Sequence, residues 1–288
     1  MKSAALILLF HLLPFIPQIA AQEMKTLPLF EQGYIYFNPA VLEADSMQIL
    51  GISQHDIASG KLAFNNFFHL LSFGLKLDNT KGDFHLNYHF DHYSFFSNNR
   101  LMLGYSYPIN LRKNSLSVGA RIGVDINAIQ YDKLNYENLS GNTIAFKPDM
   151  DIGLNYQTSK WHIGLGMNHL FYPKTQKDHI TYIERPRAFN FMLAYRVGKD
   201  NWYFKPKLLY HLQSFSKTIL VLNIGKTNKF EGGFSIQTPA TFLLLLGMDI
   251  GLNATYHITN NFELALSFER HIWSDAKHLN LMIRYGIK

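Results

Sequence analysis

From about residue 46 to the C-terminus, apolar and polar residues alternate with a period of two, which is the period of a β-strand and not of a helix. The segment Ser115 to Ala128 shows it best. Leu116, Val118, Ala120, Ile122, Val124, Ile126 and Ala128 fall on one face, and Ser117, Gly119, Arg121, Gly123, Asp125 and Asn127 on the other. The same division recurs where Trp161, Ile163, Leu165 and Met167 oppose His162, Gly164, Gly166 and Asn168. It recurs again in Phe189–Val197, Phe262–Glu269 and Leu279–Ile287. Turn-forming clusters such as Asp78-Asn79-Thr80-Lys81-Gly82, Arg112-Lys113-Asn114 and Thr259-Asn260-Asn261 punctuate these runs.

The pattern predicts fourteen strands, over 46–55, 61–77, 83–93, 99–110, 114–130, 148–158, 160–171, 187–197, 201–213, 217–226, 229–237, 240–257, 261–271 and 278–287. Longer polar connections are expected at about 131–147 and 172–186. No composition shift divides this region, so 46–288 reads as one domain.

Alternation alone also fits a soluble β-sandwich. Three features favour an all-β transmembrane antiparallel barrel. The strands are long for a sandwich, where about 5–6 residues is usual. Their polar face is rich in Gly, Ser, Asn, Asp, Arg and His, as suits a barrel interior. Aromatics such as Tyr107, Trp161, Trp202 and Tyr285 gather near strand ends, where membrane girdles form. Hydrocarbon leaves no amide unpaired, so the last strand is expected to close against the first.

Upstream, Lys2 precedes an apolar run from Ala4 to Ile16, and Ile19-Ala20-Ala21 precedes Gln22. This is the layout of a cleaved secretory signal over 1–21, which leaves 22–45 as an N-terminal segment on the periplasmic side. Export of a barrel points to the outer membrane. With no cysteine, neither a disulfide framework nor a thiolate metal site is available. The net charge of +6 comes from lysines and arginines scattered singly, many of them in turns, so no nucleic-acid partner is expected.

The residues ahead of the first strand, Leu29-Phe30-Glu31-Gln32-Gly33-Tyr34-Ile35-Tyr36-Phe37-Asn38-Pro39-Ala40, contain an aromatic-x-Asn-Pro-Ala element. It resembles the PorP/SprF family of type IX secretion system membrane proteins of the Bacteroidetes. Leu103-Gly104-Tyr105-Ser106-Tyr107-Pro108-Ile109 and Leu116-Ser117-Val118-Gly119-Ala120-Arg121-Ile122-Gly123 agree in kind. The chain departs from the family after Ala40, where Val41-Leu42-Glu43 stands, and in a shorter segment over 54–61. The resemblance implies work with type IX components on a partner protein that carries a C-terminal sorting domain, gliding adhesins included. The alternative is a porin or ligand transporter with no secretion role. Tyr36, Asn38, Pro39 and Ala40 are candidates for a docking motif or for a simple turn into the first strand.

Candidate chemistry is sparse. His85, Asn87, His89 and Asp91 share the polar face of one strand, with His92 beside them. Same-face neighbours lie roughly 6.8 Å apart, so His85 and His89, roughly 13.5 Å apart, cannot share one zinc. His162, His169, His211 and His257 are scattered, and no Gly-x-Ser-x-Gly occurs. No catalytic, metal or cofactor site is expected, and the chain is not read as an enzyme. Arg121, Asp125, Arg196, Lys205, Lys207, Asp249, Glu263, Glu269 and Arg284 are expected to face the lumen, where they either plug it with ion pairs or line a pore.

Overall fold

A computed structural model describes residues 34, 36–41, 46–57, 67–78, 82–93, 96–112, 114–130, 142–171, 174–177, 180–184, 186–199, 201–213, 216–227, 229–239, 248–271 and 277–287. The described strands, in chain order, are β1 (Met47–Ile57), β2 (Phe67–Asp78), β3 (Gly82–Tyr93), β4 (Phe96–Leu111), β5 (Asn114–Gln130), β6 (Asn142–Gln157) and β7 (Trp161–Asn168). After a small hairpin, β8 (Lys174–Lys177) and β9 (Ile180–Glu184), come β10 (Ala188–Tyr195), β11 (Val197–Lys199), β12 (Trp202–Leu212), β13 (Ser216–Lys226), β14 (Phe230–Pro239), β15 (Asp249–His257), β16 (Phe262–His271) and β17 (Lys277–Ile287).

Every pairing in the main sheet is antiparallel between neighbours in the wall. β1 pairs with β2 on one side and with β17 on the other, from Met47↔Ile287 to Ile57↔Lys277, so the sheet closes on itself. β10 pairs with both β7 and β12, and β11 continues it past a break at Arg196. Counting β10 and β11 as one stave, the wall has the fourteen strands that the alternation predicts.

Two departures from the expected boundaries are the largest. β6 begins at Asn142, six residues before the expected start at 148, because Ile144 and Phe146 extend the apolar outer row. The expected loop at 172–186 carries the β8–β9 hairpin. The early parts of the expected strands at 61–77 and 240–257 lie outside the described residues, as does 1–33 with the expected signal.

The burial pattern is that of a membrane barrel. Outward positions are apolar and exposed, Ile122 at 57% and Leu252 at 63%, whereas inward Asp125 and Asp151 are fully buried. The short turns after β4 and at 158–160 share one end with the start of β1 and the end of β17. Trp161 packs against Tyr195 (ring centroids 4.2 Å) and Trp202 meets Phe230 (5.5 Å) at this end, as an interfacial girdle requires. The β8–β9 hairpin stands at the opposite end.

Candidate functional site: the filled barrel interior

Cross-strand register builds a row of lumen positions that runs sideways around the wall. Ser106 on β4 faces Gly119 on β5, Gly119 faces Gly153 on β6, and Gly153 faces Gly166 on β7. Gly166 in turn faces Asn190 on β10, which faces His211 on β12. Three adjacent glycines leave the wall bare, and this row is a transverse groove.

The chain ahead of β1 lies in that groove. A Cβ on Gly119 would collide with the Pro39 carbonyl, one on Gly153 with the Asn38 side chain, and one on Gly166 with the Phe37 carbonyl. Polar wall groups hold the segment by its main chain. Ser106 Oγ donates to the Pro39 carbonyl (2.5 Å) and Ser117 Oγ to the Ala40 carbonyl (2.6 Å). Arg121 Nη2 donates to the Tyr36 carbonyl and Asn38 Nδ2 to the Leu154 carbonyl (2.9 Å). A serine hydroxyl has one proton, so His85 Nε2, 2.6 Å from Ser106 Oγ, is the donor of that contact.

Locally the segment folds as its sequence dictates. Asn38 Oδ1 accepts from the Ala40 amide (2.9 Å), the side-chain turn that Asn favours. Pro39 occupies the second position of the turn closed by the Val41 amide on the Asn38 carbonyl (3.4 Å), where its fixed φ fits. The residues expected as a docking or turn motif, Tyr36, Asn38, Pro39 and Ala40, are therefore buried inside the barrel, so this part of the N-terminal segment 22–45 offers no outer surface.

The aromatics of the segment point to the remaining walls. Tyr34, Tyr36 and Phe37 pack in one cluster with Leu50, Ile52, Phe68, Leu70, Met192, Leu209, Ile219, Val221, Ala265 and Met282. The Tyr36 hydroxyl lies 3.2 Å from His89 Nδ1, and the Phe37 ring meets His211.

Beneath the segment sits a buried charge network. Arg100 Nη2 contacts Asp149 (2.6 Å) and Asp151 (2.8 Å), and its Nε lies 3.6 Å from Asp125. Arg121 Nε contacts Asp151 Oδ2 (2.5 Å). His169 has a φ of 58°, a left-handed conformation that turns its amide to Asp151 (2.9 Å) and its ring to Asp149 (2.6 Å). Asp125, Asp149 and His169 could together offer three metal ligands. Arg100, however, already supplies a cation to these carboxylates, and Asp149 Oδ2 is shared between Arg100 and His169. The cluster is a closed ion-pair network, held together by charges that neutralise one another where water is excluded.

Of the other expected lumen residues, His85 and His89 are buried side by side with the segment, whereas His92 faces outward beside Phe67. Glu263 pairs with Arg284 (2.7 Å), and Asp249 accepts from Gln237 (2.5 Å) on other parts of the wall. Arg196 is exposed at the rim where the strand breaks, bonded to Thr227 (3.0 Å) and laid over the Tyr203 ring. Arg100, Asp149 and Asp151 were not among the expected site residues; their signal was the inward parity they share with Arg121 and Asp125 once register is known. Tyr34 and Phe37, also not among them, precede the first strand and carry no parity.

A closed antiparallel wall, apolar outside and largely polar inside, defines an outer-membrane β-barrel. Solved barrels of this class are similar in fold. The CymD monoaromatic hydrocarbon channel aligns with a TM-score of 0.59 at 13% identity, over 87% of this chain and 90% of that one. A Pseudomonas aeruginosa FadL homologue gives 0.56 at 9%, over 89% and 94%. Omp33 of Acinetobacter baumannii gives 0.55 at 9%, over 84% and 98%. Among curated proteins no sequence relative matches. The family model of type IX secretion system membrane protein PorP/SprF matches residues 20–277, and the chain belongs to that family.

Proposed function

We infer that this outer-membrane barrel is a non-enzymatic component of type IX secretion that aids translocation or surface anchoring of a partner protein with a C-terminal sorting domain. Family membership over 20–277 carries this reading. The alternative, a diffusion channel or ligand transporter, draws on neighbours whose likeness is one of fold alone. The buried side chains that fill the interior speak against free diffusion through it. Since the described residues of 34–41 lie inside, we take the end that carries the β8–β9 hairpin as the partner surface.

Affinity purification of the tagged protein from detergent-solubilised outer membranes, followed by mass spectrometry, tests the reading. Type IX components or a sorting-domain protein should co-purify. Recovery of the barrel alone, together with discrete conductance steps in planar bilayers, would favour the channel instead.

A further inference from the structure

We propose that the transverse groove is a peptide-binding cradle, that its ligand is the chain's own Tyr34–Val41 segment bound in cis, and that this segment is the stopper of an otherwise open conduit. The inference stands apart from the secretion reading, since it concerns only what fills the lumen.

Barrel size makes the first part of the case. About eight strands enclose an interior that wall side chains fill unaided, and 16–18 leave a water-filled channel. A wall of fourteen strands lies near the upper of these limits, so its own side chains leave space. Here the wall is thinned further, because Gly119, Gly153 and Gly166 sit next to one another on three consecutive strands. Without the segment that strip is bare backbone.

The second part is how the segment is held. Its grip is on main-chain carbonyls, those of Tyr36, Pro39 and Ala40, by donors from Arg121, Ser106 and Ser117. Recognition of carbonyls with bare glycine beneath them selects a backbone path. Side-chain selection is left to Asn38, whose amide caps Leu154, and to the aromatics that reach the apolar walls. The chemical class of ligand is therefore a turn-forming peptide of aromatic-x-Asn-Pro-small sequence. Tyr34, Tyr36 and Phe37 join walls that are not hydrogen-bonded neighbours, β1–β2 and β10–β13, and so they close the middle of the conduit.

The test uses planar bilayers and the cysteine-free background. Full-length protein should show no discrete conductance, and a variant lacking residues 34–41 should show steps. A synthetic peptide of sequence 34–41 should abolish those steps in the deletion variant. It should not do so when the deletion also carries Gly119→Leu, whose side chain occupies the cradle. Should the deletion fail to fold, Ala40→Cys in the full-length chain decides the matter. Ala40 is fully buried, so its thiol should resist a membrane-impermeant maleimide, and adding Gly119→Leu should make it react. Steps from the full-length barrel, a folded deletion that stays silent, closure by peptide regardless of Gly119→Leu, or immediate labelling of Ala40→Cys would each overturn the proposal.

Discussion

Two regions of the barrel interior are built on different principles. On β3–β7 the inward residues include His85, His89, Arg100, Arg121, Asp125, Asp149 and Asp151, all buried and tied to one another or to the segment. Around β1, β2, β10, β12 and β13 the inward row carries an apolar patch, Leu50, Ile52, Leu70, Met192, Leu209 and Val221, continued by Met282 on β17 and set among buried polar residues such as Gln48, Ser72 and Lys207. The Tyr34–Val41 segment lies between them, its carbonyls toward the polar half and its rings toward the apolar half. The difference teaches that this lumen is organised as the core of a folded protein, with one wall for hydrogen bonding and another for packing. A water-filled passage would need neither.

The largest expected effect comes from breaking the polar half at its centre. Arg100→Met removes the guanidinium that Asp125, Asp149 and Asp151 share, leaving only Arg121 on Asp151 and the His169 ring on Asp149. Removing one partner of a buried ion pair costs about 3–5 kcal/mol. Urea unfolding in detergent, followed by tryptophan fluorescence, should show a matching drop in midpoint. An unchanged midpoint would mean the network is solvated and the halves are not as different as described.

The lipid face over the same half gives the next effect. Leu165 lies on β7 between Gly164 and Gly166, on the face opposite the groove. Leu165→Arg puts a charge into hydrocarbon at mid-strand and should cost roughly 2–4 kcal/mol. If vesicle-folded protein tolerates it without loss, then β7 does not present that row to lipid.

These two positions also mark what could be read from sequence. Strand facing was legible on β5, β7 and β17 because polar residues on one face set the parity against apolar residues on the other. On β1 and β2 it was not. Phe67, Leu71, Phe73 and Leu75 face out while Phe68 and Leu70 face in, so both rows are apolar and alternation carries no sign. The polar network was half legible. Arg121 and Asp125 declared themselves, but pairing Arg121 with Asp151 and Arg100 with Asp125 needs the register of β4, β5 and β6. The early start of β6 hid that register, since 142–147 reads as loop by its Asn, Thr, Lys and Pro148 neighbours. The glycine row was visible only as separate glycines on separate strands, and nothing local says that they line up.

A smaller effect sharpens the contact between the segment and the polar wall. Ser117→Ala removes the donor to the Ala40 carbonyl and leaves that oxygen buried. A buried acceptor so orphaned costs about 1–3 kcal/mol. The same unfolding measurement reads it, and a loss near zero would show that water reaches this carbonyl.

The smallest change probes the apolar half. Ile219 is buried on β13 and lines a small cavity with Tyr34, Phe37, Leu209 and His211. Ile219→Val removes one methylene, for which about 0.5–1.5 kcal/mol is typical when the surroundings relax only in part. The pre-existing gap limits that relaxation, so the upper part of the range is expected. The informative quantity is its coupling to Phe37→Leu. Residues that share a cavity are non-additive by about 0.5–3 kcal/mol, whereas distant sites add within about 0.5 kcal/mol. Phe37 is 182 residues away in sequence from Ile219, and the two meet only if the segment is inside the barrel. A double-mutant cycle that closes additively would place the segment elsewhere and dissolve the contrast between a gripping wall and a packing wall; measurable coupling would fix Phe37 against the apolar half.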